Sequence, residues 1–127
     1  MSIIYIHFEP DTDAADQQSL ARFRDAIARY DRGEHIEAEE HVTFESIEGL
    51  FAMLTPKRME LLRHLHQHPA PSIKSLAEAL GRDYKRVHED VAALISIGLI
   101  ARDGTRLRAP HSEIRFALNF GQQPAAA

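Results

Sequence analysis

The stretch Ser72–Ile100, SIKSLAEALGRDYKRVHEDVAALISIGLI, restricts the fold more than any other part of the chain. Apolar residues stand at Ile73, Leu76 and Leu80 and, past a single glycine, at Val87, Val91 and Leu94. Each set keeps helical spacing. Ser72 and Asp83 are N-cap residues, and Gly81 and Gly98 are stop signals. The stretch therefore reads as two short helices packed across a one-glycine turn.

The second of these helices begins with an anomaly. Arg82, Tyr84, Lys85 and Arg86 gather at its start, where the helix dipole favours acidic residues. With Val87, Val91 and Leu94 turned to a core, Tyr84, Lys85, Arg86, His88 and Glu89 share the other face. Cations in that place become favourable beside a polyanion, because phosphates meet both the side chains and the first backbone N–H groups.

The flanks extend the pattern. Thr55-Pro56 is a helix-start pair, opening a helix over about Pro56–His68 with Met59, Leu62 and Leu65 inward. A short helix, SIEGLFAML, precedes it. After Gly98, LIARDGTRLRAP reads as a hairpin turning at Asp103-Gly104. SEIRFALNF then alternates, with Ile114, Phe116, Leu118 and Phe120 on one face; it either continues the hairpin sheet or completes an N-terminal one.

At the N-terminus, SIIYIHF reads as a strand. Asp11-Thr12-Asp13 offers caps to a helix over about Ala14–Arg32, whose Leu20, Phe23, Ile27 and Tyr30 form one apolar stripe. Packing on its own sheet is the commoner use of such a stripe, and a dimer seam is the other. A second strand, HIEAEEHVTFE, sets Ile36, Ala38, Val42 and Phe44 on one face and Glu37, Glu39, His41 and Thr43 on the other. Glu40 falls on the apolar face, which suggests a bulge or a wet centre. A right-handed crossover would make the two strands parallel or near neighbours. Two strands and a helix are too little to stand alone, so another strand or another chain is expected to join them.

The expected class is α+β, a winged helix-turn-helix with an N-terminal strand–helix–strand module. Its parts are an acidic module over 1–46, the helix-turn-helix and hairpin over 47–109, a strand over 110–120 and a disordered tail over 121–127. Charge divides the same way. Residues 1–54 hold twelve acids and four bases, and residues 55–127 seven acids and eleven bases, within an overall charge of −4. The basic part is the candidate for polyanions. The absence of cysteine excludes disulfides and thiolate chemistry and fits a reducing, cytoplasmic setting. No leader or membrane span is evident.

The quoted helix pair resembles the DNA-binding core of MarR-like winged-helix transcriptional regulators. With the lead-in FESIEGLFAMLTPKRMELLRHL, it is similar to a bacterial and archaeal group of predicted winged-helix regulators often encoded beside toxins as antitoxins. The resemblance covers about residues 44–109 and implies a dimeric repressor of its own operon, with a toxin protein as a partner of the acidic half or the C-terminal strand.

Under that reading Lys85, Arg86 and His88 have the reach for base edges, with Arg82 and Tyr84 beside them. Arg102, Arg106 and Arg108 decorate the wing, where they grip the backbone or enter a minor groove. Lys57, Arg58 and Lys74, at helix starts, are phosphate contacts. The partners expected are double-stranded DNA and a second copy.

Other constellations carry less. His64 and His68, one turn apart, would suit a metal-responsive repressor, but the segment is a helix C-terminus, where imidazolium meets the dipole favourably, and no further ligand completes a site. Glu34–His41 reads as a solvated acidic surface or a cover for a basic partner. No phosphate-binding glycine loop, nucleophile elbow or HExxH is present. No enzyme, metal or cofactor is expected. The competing class is a winged-helix adaptor that binds protein and not DNA.

Overall fold

The computed structural model describes residues 2–35 and 39–124. The expected strand positions Ile36, Glu37 and Ala38, and the last three residues of the tail, lie outside the described residues. The class is mixed α+β. In chain order the elements are β1 (Ile3–Phe8), α1 (Thr12–Asp31), β2 (Glu40–Phe44), α2 (Ile47–Met53), α3 (Pro56–Gln67), α4 (Ile73–Leu80), α5 (Tyr84–Ser96), β3 (Ala101–Asp103), β4 (Arg106–Arg108) and β5 (Glu113–Leu118).

Caps set the start of each of the five helices among the described residues. Asp11, Ser46, Thr55, Ser72 and Asp83 each accept a backbone N–H of the first turn through a side-chain oxygen. Gly81 ends α4 in the left-handed region, at φ 63° and ψ 35°, a conformation that glycine adopts without a Cβ penalty. Two helices of eight and thirteen residues then meet across Gly81-Arg82-Asp83.

Residues 112–120 complete the N-terminal sheet. Its order is β2-β1-β5, with both outer strands parallel to β1. The β1–β2 register runs unbroken from Ile4↔Glu40 to Phe8↔Phe44, so no bulge lifts Glu40 off the core face. Its carboxylate lies at the sheet rim instead, Oε2 3.1 Å from the Nε2 of buried His111, though not in hydrogen-bonding geometry.

Ile4, Ile6 and Phe8 point from β1 into one apolar cluster with Leu50, Leu61, Leu65 and the inner faces of α4 and α5. Burial of each such side chain stabilises the fold by roughly 1.5–3 kcal/mol. Buried Glu9, just after β1, fastens three parts of the chain. Its Oε1 accepts from Gln18 Nε2 of α1 at 2.9 Å and from Asn119 Nδ2 beyond β5 at 2.7 Å.

The opposite sheet face is polar. Tyr5 and His41 stack with centroids 4.8 Å apart, and His7 and His41 at 5.1 Å. His7 Nε2 lies 2.8 Å from His41 Nδ1, and His41 Nε2 lies 3.4 Å from Glu39 Oε2. One imidazole must donate and the other accept, so at least one is neutral. Burial first, and then the Arg22 guanidinium on α1, hold both imidazoles below their ordinary range, against an upward pull from Glu39 on His41.

The stripe on α1 does not pack on this sheet. Ala14, Ala15, Gln18, Arg22, Ala26 and Arg29 are the half-buried positions of the helix, while Leu20, Phe23, Ile27 and Tyr30 are exposed. From the half-buried side, Arg22 acts on His7 and His41, and Gln18 bonds Glu9. The apolar side faces away.

Candidate nucleic-acid interface

The hairpin is docked by its one inward residue. Leu107 is fully buried between Arg106 and Arg108, which the strand alternation turns to solvent. Its backbone exchanges two hydrogen bonds with Ala70, between α3 and α4, at 2.8 and 3.0 Å. The two-residue loop is Gly104-Thr105, one residue later than expected, since Asp103 pairs with Arg106. Gly104 takes φ 61°, and Arg102 Nε donates to its carbonyl at 2.8 Å.

This docking brings the hairpin beside α5. Ile73, His88, Val91, Ala92, Ile95 and Arg102 line a groove of about 240 Å³ between the start of α4, one flank of α5 and β3. His88 and Arg102, fourteen residues apart in sequence, thus belong to one surface. Tyr84, half exposed, lies against His88 with ring centroids 6.0 Å apart. Lys85 and Arg86 are exposed in the first turn of α5, which holds no acidic residue. Lys74 is exposed in the first turn of α4 and Lys57 in that of α3.

Two of the eleven expected contact residues are engaged in ion pairs. Arg58 Nε donates to Asp90 Oδ1 at 2.9 Å, and Arg82 Nη2 donates to Asp90 Oδ2 at 2.7 Å. Arg58 also donates to the carbonyl of Met53 at 3.0 Å, at the end of α2. Both arginine side chains are 19% exposed and Asp90 is 14% exposed. Arg58 and Arg82 therefore tie α2, α3 and the turn to α5 through Asp90, and both side chains keep part of their surface in solvent. Burial pushes the Asp90 carboxyl up, but hydrogen bonds from the two guanidinium groups outweigh it and hold the carboxyl below the usual carboxylate range.

Sequence reasoning missed Asp90 as the centre of this clamp. Its signal was an acid beside Val87, Val91 and Leu94 on the core side of an amphipathic helix. Arg82, eight residues earlier, was a readable partner; Arg58, thirty-two residues away, was not.

Among the described residues, Lys57, Lys74, Lys85, Arg86, Arg102, Arg106 and Arg108 have no carboxylate within salt-bridge distance, whereas Arg29, Arg32 and Arg115 do. These seven lie on α3, α4, α5 and the hairpin; among the described residues Arg22 and Arg24 on α1 and Arg63 on α3 also have no such partner. Such a surface offers charge to phosphates without first breaking internal pairs.

The His64 and His68 rings are tilted at 41° to each other with centroids 5.0 Å apart, and His66 Nδ1 lies 2.7 Å from the carbonyl oxygen of Ala109. Among the described residues no group of three or more His, Asp or Glu is arranged to hold a metal ion. No helix among them is long and apolar enough to cross a membrane.

No curated protein and no solved structure matches the chain. A family model described as HVO_A0114 matches residues 53–116, from the end of α2 through the unpaired cations to β5. That match spans just over half of the 127 residues, and the chain belongs to the HVO_A0114 family.

Proposed function

We propose that this protein is a winged helix-turn-helix transcriptional regulator that binds double-stranded DNA sequence-specifically and represses transcription. In this reading α5 is the recognition helix and the β3–β4 hairpin is the wing. The observation that carries it is the company kept by the cations. Lys85 and Arg86 in the first turn of α5, and Arg102 in the groove beside that helix, are exposed and without carboxylate partners, while Arg58 and Arg82 are held by Asp90.

The first turn of α5 has the dimensions for a major groove, and Lys85, Arg86 and His88 have the donors for base edges. Arg102, Arg106, Arg108, Lys74 and Lys57 supply phosphate contacts, which hold register without reading sequence. One recognition helix makes few base contacts, so binding at operator strength takes two copies, with half-sites about 34 Å apart. The resemblance to toxin-neutralising regulators extends the proposal to an antitoxin that represses its own operon.

Charge reversal at Lys85 and Arg86 is the test. The doubly reversed protein should fold as before, since both side chains are exposed, and should lose binding to the DNA upstream of its own gene by at least a hundredfold. Unchanged affinity would remove α5 as the reading element and favour a winged-helix adaptor that binds protein.

A further inference from the structure

We propose that the cavity between α3 and residues 109–114 binds a small aliphatic carboxylic acid, with the carboxylate at Arg63 and His111 and the chain against Met59, Leu62, Leu99 and Ile114.

The first argument is an unmet demand. His111 lies in the link from the hairpin to β5, with its side chain 3% exposed. Neither of its ring nitrogens has a hydrogen-bond partner among the described residues. Such groups are rare in folded proteins, and leaving one buried and unsatisfied costs about 1–3 kcal/mol. Glu40 Oε2, 3.1 Å from Nε2 but out of line, can serve one nitrogen at most, because the two nitrogens point to different sides of the ring. The other needs a partner from elsewhere. His111 lines a cavity of about 330 Å³, within the roughly 300–1,000 Å³ of small-molecule pockets and at their small end. The terminal torsion of a histidine is broad, so a modest turn of the ring brings that nitrogen to an occupant.

The second argument is charge. Arg63, exposed on α3, lines the same cavity and has no carboxylate within salt-bridge distance among the described residues. Its planar fork matches a carboxylate. Glu113, the one acid of the lining, is already held by Arg115 at 2.9 and 3.2 Å, which leaves the Arg63 guanidinium to an incoming anion. His66 Nδ1 donates to the carbonyl of Ala109 at 2.7 Å, and this bond fixes the spacing between the helix wall and the opposite one.

The third argument is the rest of the lining. Met59, Leu62, Leu99 and Ile114 are aliphatic, and no Phe or Tyr stands among the lining residues. An aliphatic chain covers such walls, and the flexible Met59 side chain adapts to its length. An inorganic anion would leave these walls uncovered, a neutral hydrocarbon would leave Arg63 and His111 without a partner, and an aromatic acid would find no Phe or Tyr to stack on.

DNA binding is not among these premises, so the site and the proposed function fail separately. Octanoate, kept below its micelle concentration, is the probe, titrated into the isotope-labelled full chain and followed by the amide resonances. The shifts should saturate and centre on α3 from Met59 to Gln67 and on residues 109–114. Acetate, which lacks the chain, octanol, which lacks the charge, and inorganic phosphate should each bind weaker by about tenfold or more, the worth of a charge-assisted hydrogen bond or of a buried chain. Arg63→Gln, at an exposed position, should leave the circular dichroism spectrum unchanged and weaken octanoate by about the same factor, and His111→Gln should do likewise. Phe23→Glu, on the exposed stripe of α1, should leave the affinity as it was. No saturable shift, shifts centred on the α1 stripe, octanol binding as tightly as octanoate, or full affinity in the Arg63→Gln protein would each overturn the proposal.

Discussion

Arg58 Nε lies 2.9 Å from Asp90 Oδ1, tying the first turn of α3 to the middle of α5. The same carboxylate holds Arg82 in the turn between α4 and α5. The orientation of α5, and with it the direction in which Lys85 and Arg86 point, therefore depends on one half-buried acid as well as on Val87, Val91 and Leu94.

Asp90→Asn should destabilise the fold by about 3 kcal/mol, the lower end for breaking a buried pair, because the three side chains keep some solvent. For a chain of this size the melting temperature should fall by about 10 °C. The folded carboxyl lies below its unfolded value, so its contribution is full above the ordinary range and disappears as pH falls through the folded value. Urea denaturation at descending pH should show wild type and variant converging below about pH 4. A gap that stayed constant well below that range would contradict this role.

The His7–His41 pair predicts sensitivity to mild acid. Both imidazoles are held below their ordinary value, so below about pH 6.5 the unfolded chain takes up protons that the folded chain refuses. Stability should be full above that value and fall as pH drops towards the folded-state values. Chemical denaturation at about pH 7.5 and about pH 5.5 measures the slope, which His41→Gln should flatten. An equally steep slope in the variant would assign the effect to other histidines.

Gly81→Ala isolates a backbone effect. A Cβ there meets nothing within 4 Å, but φ is +63°, a region that costs a side-chain-bearing residue about 1 kcal/mol. Thermal unfolding should show that loss with α4 and α5 otherwise intact. A loss of 3 kcal/mol or more would mean that the turn itself has rearranged.

Reading and gripping should separate on α5 and the hairpin. Arg86→Ala should cost about 1–3 kcal/mol on the cognate duplex and little on random DNA. Arg106→Ala and Arg108→Ala should weaken both alike, each reducing the salt slope by about one. Titration of the three variants on matched duplexes checks this, and equal loss on both duplexes for Arg86→Ala would make it a phosphate contact.

The helices were legible because their signals are local. Thr55-Pro56, Ser72, Gly81 and Asp83 fix starts and stops within a few residues, and the apolar spacing between them admits one packing. The neighbour of Ile114–Leu118 was not legible, since alternation names a strand's faces and leaves its partner open; β1, some 110 residues earlier, supplies the pairing. The α1 stripe misled because spacing shows that a helix has an apolar side without showing what covers it. The site divides in the same way. Exposure of Lys85 and Arg86 follows from helical phase, whereas the retreat of Arg58 and Arg82 depends on a carboxylate that only the folded chain brings near. The stacked His7 and His41, thirty-four residues apart, had no signal beyond lying on neighbouring strands.

The most direct measurement is fluorescence anisotropy of the full protein on a duplex from upstream of its own gene and on a scrambled duplex, over a series of salt concentrations. A regulator of the proposed kind binds the first at least a thousandfold more tightly than the second, with affinity falling steeply and linearly in log salt as counterions are released. Equal and weak binding to both duplexes would contradict the account.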